Sequence, residues 1–376
     1  MKRFLKNILS TIIGIIFAFI ILITFFVITL SSISNEKEVE VKENSILKID
    51  LSTTKVVERS SQNPLDDITI NQNSNKSIGI KEVLDNIEKA KKDDNIKAIY
   101  INSPIIKAGL SQTEEIRNKL LDFKKTGKPI IAYAEVYSQL SYYLSSVANK
   151  IYLNPQGIVE IKGLSASQMF FKGMLEKLNI DIQIIRHGKF KSAIEPFTLD
   201  KMSPENKEQM TALLNSFADN IMDSIANQRN INLSKVQKDA DNLNLEDAIN
   251  CVELGYIDAL LYEDQIEDTL LNISSGKDIN FISLEKYKNQ KVNQQKISRN
   301  KIAIIYATGT INLGEGDEKS IGSLTTVNAI KKARKDKNVK AIVLRINSGG
   351  GSALASDVIL RECILAKKEK PLIVSM

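Results

Sequence analysis

One sequence pattern occurs twice in the chain. Residues 79–133 contain GIKEVLDNIEKAKKDDNIKAIYINSP and GKPIIAY, and residues 322–375 contain GSLTTVNAIKKARKDKNVKAIVLRINSG and EKPLIVS. The two copies keep a nearly constant spacing up to the Lys-Pro pairs that begin at Lys128 and Lys370. A repeat of this length indicates a duplicated domain, because the units of solenoid proteins recur every ~20–50 residues.

Each copy has the pattern strand, helix, buried strand, helix, buried strand. The β-branched runs at residues 96–102 and 339–347 are typical of parallel strands that are covered on both faces. Residues 83–92 and 327–335 carry the apolar spacing of helices. This order predicts right-handed βαβ crossovers and an α/β fold class with two tandem repeats.

The second copy stops at Met376, directly after a predicted strand. A core strand at that position would leave a bare sheet edge and an open apolar face. We therefore expect the sequence to continue beyond Met376 and the second repeat to be incomplete.

An uncharged run over residues 7–35 follows three basic residues near the N-terminus. It is long enough to cross the ~30 Å hydrocarbon core of a membrane as a helix. It also exceeds the apolar core of a signal peptide and precedes a poor cleavage pattern, so we expect an uncleaved anchor. The positive charges place the N-terminus in the cytoplasm and the main body outside it, on the far side of the cytoplasmic membrane. The predicted domains are the anchor at 1–35, the first repeat at 36–290 and the second repeat at 291–376.

The composition argues against several function classes. The formal charge of +6 is spread over helices of mixed sign, such as residues 81–94, so we expect no nucleic-acid partner. Cys251 and Cys363 fit neither a disulfide framework nor a metal cluster, and we expect both to be small buried residues. The single histidine, His187, argues against a metal centre and lacks an obvious orienting partner for a Ser/His/Asp triad. Residues 181–185 are predicted as a strand, which places His187 at a strand end or in a loop.

The second copy contains a glycine-rich turn, NSGGGSA, at residues 347–353. Three glycines between a strand and a helix let backbone N–H groups point at an anion, and the helix N-terminus adds a favourable field. A developing oxyanion and a bound phosphate both suit such a turn. The phosphate is less favoured, because the spacing of neither phosphate-binding glycine motif is present. A tight turn that merely needs glycine is the remaining alternative.

The first copy lacks these glycines but continues into RHGKFKSAIEPFTLD, residues 186–200, which contains Lys191. A Ser203-Pro204 helix start follows, in which Ser203 can cap the helix and Pro204 lies in its first turn. Alone, this lysine would be interpreted as a solvated surface charge. Two diverged copies can, however, each supply half of one site, and a lysine neutralised by burial can take a proton from a serine. The SSGK sequence at residues 274–277 also fits S-x-x-K, but its polar setting favours a linker turn.

Several blocks together resemble the signal peptide peptidase SppA family, in its long, duplicated bacterial form. They are the N-terminal anchor, YSQLSYYLSSVANKIYLNPQG, KSAIEPFTLDKMSP, GYIDAL and INSGGGSALASDVI. The resemblance implies tandem crotonase/ClpP-like repeats in a membrane-bound serine protease with a Ser-Lys dyad and no cofactor. It also implies that the protein degrades remnant signal peptides and other apolar peptides, and that it assembles as a homo-oligomer, a tetramer in this family.

By the same resemblance Lys191 is the general base, and the backbone amides of Gly350 and Gly351 line the oxyanion hole. Gly349 stands where the family usually has proline. The nucleophilic serine is expected a few residues beyond Met376, and Ser375 belongs to the preceding strand. Two other functions stay open: a non-catalytic membrane-anchored scaffold, and an acyl-thioester enzyme of the crotonase type. The predicted topology and Lys191 argue against the latter.

Overall fold

The structure is a computed structural model that describes residues 7, 11–25, 41–60, 76–185, 188–274, 278–288, 290 and 298–376. Residues 11–25 form a helix, α1. The rest of the predicted anchor, apart from Asn7, lies outside the described residues, as do His187 and residues 275–277 of the SSGK sequence. In the described part of the chain, no helix is both long and apolar enough to cross a membrane.

The described residues include thirteen strands. They are β1 (Ser45–Ile49), β2 (Lys55–Val57), β3 (Ser77–Gly79), β4 (Ile96–Ile101), β5 (Ile130–Tyr137), β6 (Lys150–Val159), β7 (Ala259–Leu260), β8 (Asn280–Ser283), β9 (Lys301–Thr308), β10 (Thr310–Asn312), β11 (Ser320–Gly322), β12 (Val339–Asn347) and β13 (Leu372–Ser375).

Twelve further α-helices are described after α1, five of them in succession between β6 and β7, and a short 3₁₀ helix covers Asn244–Glu246. They are α2 (Ile80–Lys92), α3 (Leu110–Lys124), α4 (Gln139–Ser145), α5 (Lys172–Lys177), α6 (Glu195–Thr198), α7 (Pro204–Arg229), α8 (Leu233–Asp241), α9 (Ala248–Glu253), α10 (Glu263–Ser274), α11 (Leu284–Tyr287), α12 (Ser323–Lys335) and α13 (Ala353–Glu369).

Two parallel sheets dominate the fold. The first has the strand order β7-β6-β5-β4-β1-β8, and the second has the order β13-β12-β9. The buried runs predicted as strands are β4 and β12, and the predicted helices lie within α2 and α12, so these assignments are confirmed. A mixed α/β chain with parallel sheets is consistent with the ClpP/crotonase-like fold expected from the sequence.

The two copies share a backbone detail as well as an order of elements. The order β5-β4-β1 in the first sheet recurs as β13-β12-β9 in the second. In each central strand one exposed lysine, Lys97 in β4 and Lys340 in β12, is skipped in the pairing with the neighbouring strand. The duplicated sequence therefore reproduces the same irregularity at the same position.

The chain divides into two compact units. The first unit comprises Lys42–Val56 and Glu82–Leu284, and the second unit includes Val57–Lys81 and Glu285–Met376. The first sheet belongs to the first unit and the second sheet to the second unit. The second unit thus includes residues 57–81, which lie within the predicted first repeat.

Helices cover the first sheet more completely than the second. In the first unit Ile46 and Ile131 are buried in a cluster with Ile266 and Leu270 of α10, which cover one face of the sheet. In the second unit α12 and α13 cover one face, with Ile330 and Ala366 in the cluster.

On the opposite face of the second sheet, Ile302 is 66% exposed and Ile373 is 59% exposed. By sheet register these two residues correspond to Ile46 and Ile131 of the first sheet. Two positions that α10 buries in the first unit are therefore exposed in the second.

One predicted strand is wrong. Residues 181–185, DIQII, alternate in the way a strand does, but they form no regular element, and their side chains are exposed. Ile185 is fully exposed. A period-2 pattern becomes a strand only where a neighbouring strand and an apolar layer are available, and the described residues place neither beside this segment.

Candidate active site

The glycine-rich turn joins the end of β12 to the start of α13. Ser352 is the N-cap of α13, and its side chain accepts a hydrogen bond from the amide of Ala355. Gly350 has a φ of 105°, a left-handed conformation that favours glycine. A Cβ on Gly351 would lie 2.2 Å from the carbonyl oxygen of Ile311. The turn therefore needs glycine at both positions, for two different reasons.

Hydrogen bonds fix the backbone of this turn. The Ile311 amide donates to the Gly350 carbonyl at 3.0 Å, and the Ser352 amide donates to the Ile311 carbonyl at 2.9 Å. The Gly350 amide donates to Oγ of Ser348 at 3.0 Å. Among the described residues, none accepts a hydrogen bond from the Gly351 amide. Among the described residues, the Gly351 amide thus has no acceptor, whereas the Gly350 amide is bound to the Ser348 hydroxyl.

A buried ion pair lies at the base of the turn. Nε of Arg345 is 2.9 Å from Oε2 of Glu58, and both side chains are almost fully buried. Arg345 Nη1 also donates to Oγ of Ser375 at 2.9 Å, and Nδ2 of Asn347 donates to Glu58 at 3.2 Å. Burial raises the pKa of Tyr306, which pairs with Arg345 across the sheet, so its hydroxyl stays neutral. This network ties together the ends of β12 and β13.

Ser375 is the last residue of β13, as the sequence predicted. Its hydroxyl accepts a hydrogen bond from Arg345 and so contributes to the network. An activated serine needs a base that accepts its proton, and the partner that the described residues give this hydroxyl is a cationic donor, so Ser375 has a structural role in this arrangement.

Lys191 lies on an exposed turn immediately before α6. Burial that would favour its neutral form was expected from the sequence, but the side chain is exposed in this structure. The turn itself is ordered by local hydrogen bonds, since the amide of Glu195 donates to the carbonyl of Ser192 at 3.0 Å. Lys191 belongs to the first unit, whereas Gly350 and Gly351 are adjacent in the second, so their joint site stays a prediction.

Glu195, four residues after Lys191, is 2% exposed. Its carboxylate accepts hydrogen bonds from the hydroxyl of Ser203 at 2.6 Å and from Nδ2 of Asn206 at 2.9 Å. Ser203 is also the N-cap of α7, as predicted. The sequence contained this signal, an acid just before proline followed by a Ser-Pro helix start, but it did not indicate that these residues touch. Neither Glu58 nor Arg345 could be recognised from the sequence.

The cysteines are unsuited to nucleophilic catalysis. Cys251 is fully buried, and burial raises the pKa of its thiol to about 11. Its Sγ donates to the carbonyl of Leu245 at 3.2 Å. Cys363 packs at the edge of the second unit's core, and burial raises the pKa of this thiol too. Neither side chain forms the thiolate that a reactive cysteine needs at neutral pH.

Comparison with known proteins bears directly on this site. Residues 122–274 match peptidase family S49, and this segment includes Lys191 and Glu195. The chain is 36% identical to Protease 4 of Haemophilus influenzae over 316 residues, which are 80% of this chain and 51% of that protein. It is 34% identical to Protease 4 of Salmonella typhi over 305 residues, which are 78% of this chain and 49% of that protein.

A plant protein shows the same relation. The chain is 30% identical to the chloroplastic serine protease SPPA of Arabidopsis thaliana over 314 residues, which are 80% of this chain and 46% of that protein. The chain thus spans about half the length of the curated relatives it matches. It is therefore a homologue of the serine peptidases of family S49, related to Protease 4 over about 80% of its length.

Proposed function

We propose that this chain provides the base and the oxyanion turn of a membrane-anchored serine endopeptidase with a Ser-Lys dyad. The observation that carries the proposal is the S49 match, because it spans Lys191 and the turn that holds it. The homology to Protease 4 extends over most of the chain and supports the same assignment. The amides of Gly350 and Gly351, at a strand-to-helix turn, are of the kind that stabilises an oxyanion.

In the proposed reaction the amine of Lys191 removes the proton from a serine hydroxyl, and the serine oxygen attacks a peptide carbonyl. The carbonyl oxygen becomes an oxyanion, which accepts hydrogen bonds from the Gly351 amide and, once it is released from Ser348, from the Gly350 amide. The lysine then gives its proton to the leaving amine, and a water molecule hydrolyses the acyl-enzyme. The reaction requires a neutral lysine, so Lys191 must be shielded from water in the working enzyme.

The serine is proposed to lie in a segment that follows Met376. Two observations support this position. The matched residues of this chain cover only about half the length of the curated relatives. In addition, Ile302 and Ile373 are exposed on the second sheet at positions that are buried by α10 in the first. A longer second repeat would supply both the serine and a cover for this face.

The uncharged run at residues 7–35 is proposed to anchor the protein in the cytoplasmic membrane as a single span, with the main body on the far side.

We propose remnant signal peptides and other apolar peptides in extended form as substrates, since an extended peptide can add to a sheet edge beside the glycine turn. A homo-oligomer, a tetramer by family resemblance, is proposed as the assembly, and the dyad chemistry itself uses no cofactor.

The test replaces Lys191 in the enzyme that carries the complete second repeat. Lys191→Ala is expected to lower peptide cleavage by about 10³-fold or more, as the loss of one member of a catalytic unit does. Lys189→Ala is the matched control, because Lys189 is an exposed lysine of the same turn whose ion-pair partner is the exposed Glu208. Circular dichroism checks that both variants fold. Activity of Lys191→Ala at the level of the control would refute the proposal.

A further inference from the structure

We propose that Glu195 is the positioning residue of Lys191. Its buried carboxylate fastens the turn that carries the lysine to the N-terminal end of α7. This inference rests on the proposed role of Lys191 as the general base, and it adds a residue that acts on the reaction only through that lysine.

The carboxylate of Glu195 is buried but well supplied with donors. Oε1 accepts a hydrogen bond from the hydroxyl of Ser203 at 2.6 Å. Oε2 accepts one from the Ser203 amide at 3.2 Å and one from Nδ2 of Asn206 at 2.9 Å. Asn206 is 3% exposed, so this cluster is shielded from water. Hydrogen bonds to an ionised group are short and strong, and losing one in a buried site is costly.

Ser203 links the Glu195 carboxylate to the N-terminus of α7. Its Oγ donates to Glu195 while it accepts a hydrogen bond from the amide of Asn206 at 3.1 Å, which caps α7. The carboxylate thus lies at the positive end of a helix of 26 residues. The N-terminus of a long helix is a rigid reference point, so the contact fixes α6 relative to α7.

Backbone hydrogen bonds connect Glu195 to the turn that contains Lys191. The Glu195 amide donates to Ser192 at 3.0 Å, and the Leu199 amide donates to the Glu195 carbonyl at 2.9 Å. Lys191 directly precedes Ser192 and is itself exposed. The lysine therefore extends outward from a base that is held by Glu195.

The other side of α6 has its own support. The carbonyl of Pro196 accepts a hydrogen bond from the Phe171 amide at 2.6 Å, and the rings of Phe171 and Phe197 stack with centroids 6.0 Å apart. These contacts orient α6 but do not reach α7. Loss of the Glu195 carboxylate would therefore keep α6 packed against Phe171 but let the turn shift relative to α7. A shift of this kind moves Lys191 and is expected to lower kcat.

The test uses the enzyme with the complete second repeat and compares Glu195→Gln with Glu208→Gln. Glu208 is an exposed acid on α7 whose partner is Lys189. Active sites are counted with a serine-directed phosphonate, and kcat is expressed per titrated site. Glu195→Gln is expected to lower kcat about 10- to 100-fold with little change in KM, because misplacing a catalytic group by about 1 Å has effects of this size. Glu208→Gln should keep the wild-type kcat.

A purely structural role would reduce the number of titrated sites but leave kcat per site unchanged, and that result would overturn the inference. If Glu195→Gln yields no folded protein, Asn206→Ala takes its place, because it removes one donor to the carboxylate and keeps Ser203. It is expected to lower kcat per site about tenfold, and a wild-type value would again overturn the inference.

The two proposals fail in different ways. Inactive Lys191→Ala together with fully active Glu195→Gln would refute only the positioning role. Active Lys191→Ala would refute the assignment of the base and the positioning role with it.

Discussion

Lys128 and Lys370 make the same two hydrogen bonds in the two copies of the repeat. Nζ of Lys128 donates to the carbonyls of Ala90 and Asp93 at 3.0 and 2.7 Å. Nζ of Lys370 donates to the carbonyls of Ala333 and Asp336 at 2.8 and 2.5 Å. These carbonyls lie at the C-terminal ends of α2 and α12, where backbone acceptors lack helical partners and a positive charge is favourable.

The Lys-Pro pair that marks the repeat in the sequence is therefore a helix cap. The carbonyl of the following proline, Pro129 or Pro371, accepts a hydrogen bond from the central strand of its sheet. One dipeptide thus ends a helix and begins the pairing of the next strand.

Lys370→Met should destabilise the second unit by about 1–3 kcal/mol, because two half-buried carbonyls lose a charged donor. Hydrogen exchange of the α12 amides measures the loss as faster exchange near Lys335. Lys368→Met is the matched control, since Lys368 is an exposed lysine two residues before Lys370, in the last turn of α13. Equal exchange in both variants would contradict the capping role.

Arg345→Met should destabilise the second unit by about 3–5 kcal/mol, because it deprives the buried Glu58 carboxylate of the guanidinium that it contacts. Denaturant unfolding measures the change. Lys172→Met provides the contrast: Lys172 pairs with Glu176 and Asp200 at the surface, where water screens the charges, so its loss should leave the free energy of unfolding nearly unchanged.

The double variant Arg345→Met/Glu58→Met removes both charges and should be more stable than Arg345→Met alone. If the two changes were simply additive, the network would not act as a unit.

The sequence predicted features that local patterns determine. The strands β4 and β12 were found because their β-branched runs are long, and the Ser203 cap was found because Ser-Pro before a helix is a local signal. The prediction of a strand at residues 181–185 was wrong, because it used only the alternating pattern of these residues. Whether such a pattern forms a strand depends on a partner strand elsewhere in the sequence.

Residues whose partners are far away in the sequence could not be found. Glu58 and Arg345 are 287 positions apart, and nothing near either residue indicates the other. Glu195 is closer to its partner, eight positions from Ser203, yet the contact depends on how α6 meets α7. The glycine positions of the turn were predicted, but the hydrogen bond from the Gly350 amide to Ser348 was not, because it depends on the conformation that the backbone of the turn adopts.

Gly351→Ala should lower the activity of the enzyme with the complete second repeat by about 10²–10³-fold, the usual effect of losing one oxyanion donor. The added Cβ would lie 2.2 Å from the Ile311 carbonyl, so the turn must move. Gly349→Ala is the control, because among the described residues no atom beyond its chain neighbours lies within 4 Å of the position that its Cβ would occupy. The rate at which a serine phosphonate labels the enzyme is measured for both variants. Equal rates for Gly351→Ala and Gly349→Ala would show that the glycine turn takes no part in the reaction.

Glu88 makes the stability of the first unit depend on pH. Its carboxylate accepts hydrogen bonds from Lys119 at 2.6 Å and from Lys92 at 2.7 Å, and these two cations lower its pKa from 4.5 to about 2. A carboxyl whose pKa is lower in the folded state than in the unfolded chain stabilises the fold above the unfolded value. This contribution is therefore complete above pH 4.5 and is lost as the pH falls to about 2.

Glu88→Gln should accordingly flatten the fall in unfolding free energy between pH 4.5 and 2, while it lowers stability slightly at neutral pH. Urea unfolding at a series of pH values gives the slope of unfolding free energy against pH for the wild type and for the variant. Glu253→Gln serves as the control, since Glu253 is exposed and forms no ion pair with any described residue. If Glu88→Gln and Glu253→Gln show the same slope, the acid dependence arises from other carboxylates, and the pairs with Lys92 and Lys119 contribute nothing measurable.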